Sequence, residues 1–96
     1  MKAETLHEKS VTVNDNRHSE IEQVKKQLEL CKHQDQLLEE IEVLLHEMKK
    51  IALYAAASKL PSHESEHLNN EILKKQQAIH VLEGKLLQLQ STLYLQ

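Results

Sequence analysis

The sequence predicts an all-α protein: an antiparallel hairpin of two long amphipathic helices, assembling with further helices into a four-helix bundle or coiled coil. Three observations predict it. Aromatics are 2% of the 96 residues, with no Trp or Phe, and Gly and Pro occur once each. Such a chain lacks the large side chains that fill a globular core and the residues that make tight turns, whereas long helices need neither. Charged residues are 28%, with both signs interspersed, as solvated helix faces require. Apolar residues recur at alternating three- and four-residue spacing on both sides of the one proline, Pro61, the pattern of paired helices. At this length the chain is a single domain at most.

Residues 1–18 are polar, charge-balanced and aperiodic, and Leu6, Val11 and Val13 are too few to anchor a fold. They are expected to form a disordered N-terminal arm. Val11-Thr12-Val13 could add a short strand to a partner's edge and is otherwise coil. The hairpin is expected over residues 19–96, with helix one at about 19–58, the turn at about 59–62 and helix two at about 63–94.

Helix one is expected to start at Ser19-Glu20-Ile21-Glu22. This is a capping box, in which Ser19 accepts from a backbone N–H three residues on and Glu22 reaches back to the N–H of Ser19. Glu20 and Glu22 also suit the positive end of the helix dipole. Ile21, Val24, Leu28 and Cys31 begin an apolar stripe, which falters at Gln34-Asp35-Gln36. It resumes at Leu37, Ile41, Leu44, Met48, Ile51 and Ala55, widened by Leu38, Leu45 and Ala52. The offset between the two stretches implies a local phase shift. Proline disfavours helical backbone at the residue before it, so Leu60-Pro61 should stop the helix between Ala57 and Lys59.

Ser62 is the expected cap of helix two, with Glu64 and Glu66 in its first turn. Its seam is Leu68, Ile72, Lys75, Ile79, Leu82, Leu86, Leu89 and Leu93, broken only by Lys75. Folding back at Pro61 sets Ala55 near Leu68, Ile51 near Ile72, Leu44 near Ile79, Ile41 near Leu82 and Leu37 near Leu86. Lys75 then lies beside Met48, with its stem on the apolar surface and its ammonium reaching Glu47 or solvent. The residues expected to carry interaction are Leu37, Ile41, Leu44, Met48, Ile51, Leu68, Ile72, Lys75, Ile79, Leu82, Leu86 and Leu89. A further apolar strip, Leu73, Leu87 and Tyr94 on helix two with Leu30, Val43 and Leu53 on helix one, is expected to bury against another chain. A homodimer forming a four-helix bundle is the simplest case, and a higher oligomer the next.

Catalysis finds no support in the sequence. His63-Glu64-Ser65-Glu66-His67 matches H-E-x-x-H on a predicted helix, and two His at i and i+4 share a face that could hold Zn²⁺. A zinc protease also needs a third ligand, an edge strand for substrate and a walled cleft, and nothing here supplies them. The seam phase leaves His63 and His67 on the solvated side, as a polar first turn or at most a weak metal site. Cys31 sits on the stripe as a buried inert thiol, and a single cysteine points weakly to a reducing compartment. No Ser-His-Asp set or phosphate loop can be assembled, and no cofactor is expected.

The net charge of −3 and the absence of any Lys/Arg cluster larger than a pair argue against nucleic acid. The longest apolar run, Ile51 to Ala57, falls far short of the ~20 residues a membrane span needs. Glu4, His7, Glu8 and Lys9 stand where a signal peptide would need an apolar core. A cytoplasmic protein is the expectation.

Leu45, Met48, Ile51, Ala52, Ala55 and Ala56, a polar break at Ser58–Ser65, then Leu68, Glu71, Ile72 and Ile79, resemble the N-terminal helical segment of bacterial flagellins, over roughly residues 37–82. The resemblance implies a rod of helices packing against the same segment of its neighbours, a role in flagellar assembly, and export as a filament component as the alternative location. The chain departs from the flagellin pattern at Ala57-Ser58, where Asn-Gly is usual, and at Glu47 and Ser65, where Arg is usual. A flagellin's terminal polymerising helices have no counterpart in the sequence. The expected function is a non-catalytic helical interaction or self-assembly module. The alternatives are a small cytoplasmic regulator or adaptor that binds a partner through its amphipathic helices, and a weak metal-binding helical protein using His63 and His67.

Overall fold

The computed structural model describes the backbone of residues 2–95 and the side chains of residues 15–94. Two helices account for nearly all of it, α1 at Lys2–Ala57 and α2 at Ser62–Leu95. Among the described residues there is no strand. The chain divides into two units, Met1–Lys32 and His33–Gln96. The second holds the end of α1, the turn and α2, which pack against each other as the expected hairpin.

In the first unit, α1 starts at Lys2, whereas the sequence pattern places the start at Ser19 and leaves residues 1–18 as an arm. Those residues contain neither Gly nor Pro, so nothing in them blocks a helical backbone. Val11-Thr12-Val13 lies within the helix, and its side chains lie outside the described residues. With the helix already running, Ser19 and Glu22 are interior positions, and no capping box forms. The Glu22 carboxylate instead accepts from the Lys25 ammonium at 3.5 Å, and Lys32 lies 3.5 Å from Glu29. Exposed pairs of this spacing contribute a few tenths of a kcal/mol each, about 0.2–0.5.

The anticipated stripe of this unit is also displaced. Ile21, Val24, Leu28 and Cys31 are all exposed, while Gln27 and Leu30 are half-buried. In the second unit Gln34 is itself half-buried, so its stripe takes in the first residue of Gln34-Asp35-Gln36. Cys31 is an exposed free thiol rather than a buried one.

The turn follows the proline. α1 ends at Ala57, and Ser58 to Pro61 form the connection. The carbonyl of Pro61 accepts from the N–H groups of Glu64 and Ser65, both at 3.0 Å. Pro61 rather than Ser62 thus occupies the capping position of α2, where the missing proline N–H leaves no partner wanting. Glu64 stands in the first turn of α2, complementing the dipole.

In the second unit the seam on α1 runs Gln34, Leu37, Ile41, Leu44, Met48, Ile51 and Ala55 without interruption. On α2 it is Leu68, Ile72, Lys75, Ile79, Leu82, Leu86, Leu89 and Leu93. Every one is buried or half-buried. Ala55 lines one groove with Leu68 and Ile72, as the fold-back register requires, and Leu44 lines another with Leu82, about one turn along from Ile79. Two cylinders touch along a line, so among the described residues only Leu37, Ile79 and Leu89 are buried outright. A core this thin leaves large apolar side chains outside it.

Gly84 gives a clean local test. It lies in the exposed interior of α2, and an added Cβ would meet nothing within 4 Å. Gly84→Ala should stabilise the hairpin by about 0.5–1 kcal/mol. That raises the thermal midpoint by roughly 4 °C, read by circular dichroism.

Candidate interaction surfaces

The seam fixes the heptad phase, and the phase sorts every other side chain of the hairpin. With Ile41, Met48, Ile72 and Ile79 at a and Leu37, Leu44, Lys75 and Leu82 at d, α1 carries Leu38, Leu45 and Ala52 at successive e positions. α2 carries Leu73, His80, Leu87 and Tyr94 at successive b positions. All seven are exposed. Two antiparallel helices in contact are related by an axis perpendicular to the plane that holds both, so their e and b positions lie on the same lateral face. One face of the hairpin therefore presents Leu38 and Leu45 along its inner line and Leu73, Leu87 and Tyr94 along its outer edge. Between them run Asn69, Gln76, Glu83 and Gln90, the e positions of α2. His80 Nδ1 sits 3.8 Å from Glu83 Oε2 at the middle of this face.

The opposite face is charged. It carries Glu40, Glu47 and Lys50 from α1 and Glu71, Lys74 and Lys85 from α2, with Val43, Tyr54 and Val81 scattered among them. Lys74 lies 3.8 Å from Glu71. Of the apolar strip anticipated on α1, Leu30 is half-buried, and Val43 and Leu53 are exposed but lie off the leucine face. Leu38 and Leu45 supply its α1 half instead.

All twelve residues expected to carry interaction lie along the inner seam. The hairpin uses them to hold itself together, and what it offers outward is the flanking face. Lys75 is the polar member of the seam. Its ammonium donates to Glu47 Oε2 at 2.8 Å while its stem lies half-buried beside the apolar stripe. Only one register brings these two residues together, so the pair selects the alignment of α1 against α2.

The hydrogen bond from Lys75, followed by its positive charge, holds the Glu47 carboxyl below its ordinary value of 4.5. A carboxylate with a lowered folded value contributes stability above its unfolded value and loses it as pH falls through the folded one. Glu47→Gln should therefore lower the thermal midpoint at neutral pH. The difference from wild type should vanish once the pH lies well below 4.5, and paired melts across that range check it.

His63 and His67 lie exposed in the first turns of α2. Among the described residues no three or more His, Cys, Asp or Glu side chains gather as metal ligands. Three grooves among the described residues are open, one of them lined by Gln36, Glu39, Glu40, Val43, Leu44 and Leu82, and none of the three is a walled cleft. No described helix is long and apolar enough to cross a membrane. Comparison with known proteins finds no family model, no curated protein and no solved structure that matches the chain.

Proposed function

We propose that the chain is a non-catalytic helical module that works by packing its exposed leucine face against other helices, in self-assembly or on a partner protein. The observation that carries this reading is the heptad-spaced row Leu38, Leu45 and Ala52, with Leu73 and Leu87 on the same face. An apolar row flanking a filled seam is surplus to a two-helix fold and is what a third and fourth helix would cover. Exposed apolar patches of this kind mark interaction sites. The cytoplasm is the proposed location, with export alongside flagellin as the alternative. Flagellin, whose N-terminal segment residues 37–82 resemble, is the first partner to try.

The test is the thermal midpoint as a function of protein concentration and of added flagellin. Association with the folded form alone raises the midpoint by mass action. A midpoint that climbs with the chain's own concentration supports self-assembly, and a rise on adding flagellin supports the flagellar partner. A midpoint indifferent to both removes the interaction reading in these two forms.

A further inference from the structure

Building on the self-assembly reading, we propose that the partner on the leucine face is a second copy of this chain, stacked face to face with its turn at the opposite end. Three features of the face point to this arrangement. The first is the placement of its apolar residues. Leu38 and Leu45 sit one heptad apart on α1, and Leu73 and Leu87 two heptads apart on α2. A two-fold axis crossing α1 near residue 42 lays Leu38 on Leu45 of the other copy. An axis crossing α2 at residue 80 lays Leu73 on Leu87. The hairpin register that joins Lys75 to Glu47 brings residues 42 and 80 to the same height, so a single axis satisfies both.

The second feature is charge. At the outward b positions of α1 stand Asp35, Glu42 and Lys49. The same axis lays Asp35 of each copy on Lys49 of the other, two opposite-charge pairs that fix the direction of stacking. Glu42 meets its own copy at the centre, a single like-charge pair set against those two.

The third feature is what the alternative stacking would do. With both turns at one end, α1 would lie over α2 of the other copy, and Leu38 and Leu45 would face the Glu83 and Gln76 row. Turns at opposite ends put leucine on leucine and leave Gln76 and Glu83 on each other, where they can hydrogen-bond. Between Gln34 and Ala55 the face measures roughly 30 Å by 20 Å, or about 1,200 Å² over both copies. That reaches the range of specific stable interfaces.

Thiol cross-linking of the full chain in a Cys31→Ser background tests this directly. Glu42→Cys and His80→Cys are each expected to form a disulfide with their own copy on mild oxidation, because each lies at the axis. In the opposing arrangement neither links to itself, and only a mixture of the two, one of them tagged, gives a mixed dimer. That pattern would overturn the stacking while leaving self-assembly intact, as would light scattering that shows dimers with no linkage at either position. Monomers at millimolar concentration would overturn the stacking and self-assembly together, and a partner reading would then rest on the flagellin titration alone. Glu42→Gln removes the like-charge pair and is expected to tighten association about two-fold. A loosening instead would contradict the placement of the axis.

Discussion

Ile79→Asp should abolish cooperative folding of the hairpin, whereas Val81→Asp, two residues along the same helix, should leave it standing. Ile79 is 8% exposed and sits mid-seam on α2, while Val81 is 59% exposed on the charged face. Removing the isoleucine forfeits on the order of 2–5 kcal/mol of packing. The aspartate then faces the apolar seam of α1, where its carboxylate must either lose its hydration or take up a proton, at further cost. Single domains are stable by only about 5–15 kcal/mol, and among the described residues just two others are buried outright, Leu37 and Leu89. Valine and aspartate have similar helix propensities, so the Val81→Asp control reads burial rather than intrinsic helicity. Far-ultraviolet circular dichroism with thermal melts decides it. A cooperative melt for Ile79→Asp within a few degrees of wild type would show that the seam is not what holds the helices together.

The second large effect is expected outside the seam. Leu45→Glu with Leu87→Glu should leave the hairpin folded and weaken self-association at least about a hundred-fold. Each leucine is more than half exposed, so the isolated chain loses little; surface changes away from packed features stay within about 0.5 kcal/mol. In the stacked dimer each leucine meets one from the other copy, and the two-fold axis removes the pairs twice. Four leucines, each with about half of its surface left to bury, at about 1 kcal/mol or more each exceed the roughly 2.7 kcal/mol that a hundred-fold change in affinity represents. A double variant that associates as tightly as wild type would place the interface elsewhere on the helices.

The fold class, the position of the turn and the pairing register were all legible, and one kind of residue made each so. Pro61 marked the break because its ring excludes helical backbone at Leu60. The unbroken four-and-three spacing from Leu68 to Leu93 set the phase of α2, and the fold-back then placed Lys75 beside Met48 and Glu47, where its ammonium bonds at 2.8 Å. In the first unit the apolar pattern and the half-buried residues differ for a physical reason. Ile21, Val24, Leu28 and Cys31 make a more apolar stripe than Gln27, Leu30 and Gln34, so pattern alone favours the wrong phase. Residues 1–18 carry no apolar period to mark a helix, although they also contain no Gly or Pro to break one. The leucine face was half legible. Leu73 and Leu87 stood out on α2, but Leu38 and Leu45 read as a broadening of the seam until the burial of Leu37 and Leu44 placed them on its flank.

Sedimentation equilibrium of the full chain, from micromolar to millimolar concentration at neutral pH, tests the central claim most directly: the seam closes the hairpin and the flank is left over for another copy. The expected result is a mass rising from one chain to two and stopping there, because a face-to-face pair covers the leucine face of both copies. A mass of one chain across the whole range, or one that grows past two without limit, would contradict it.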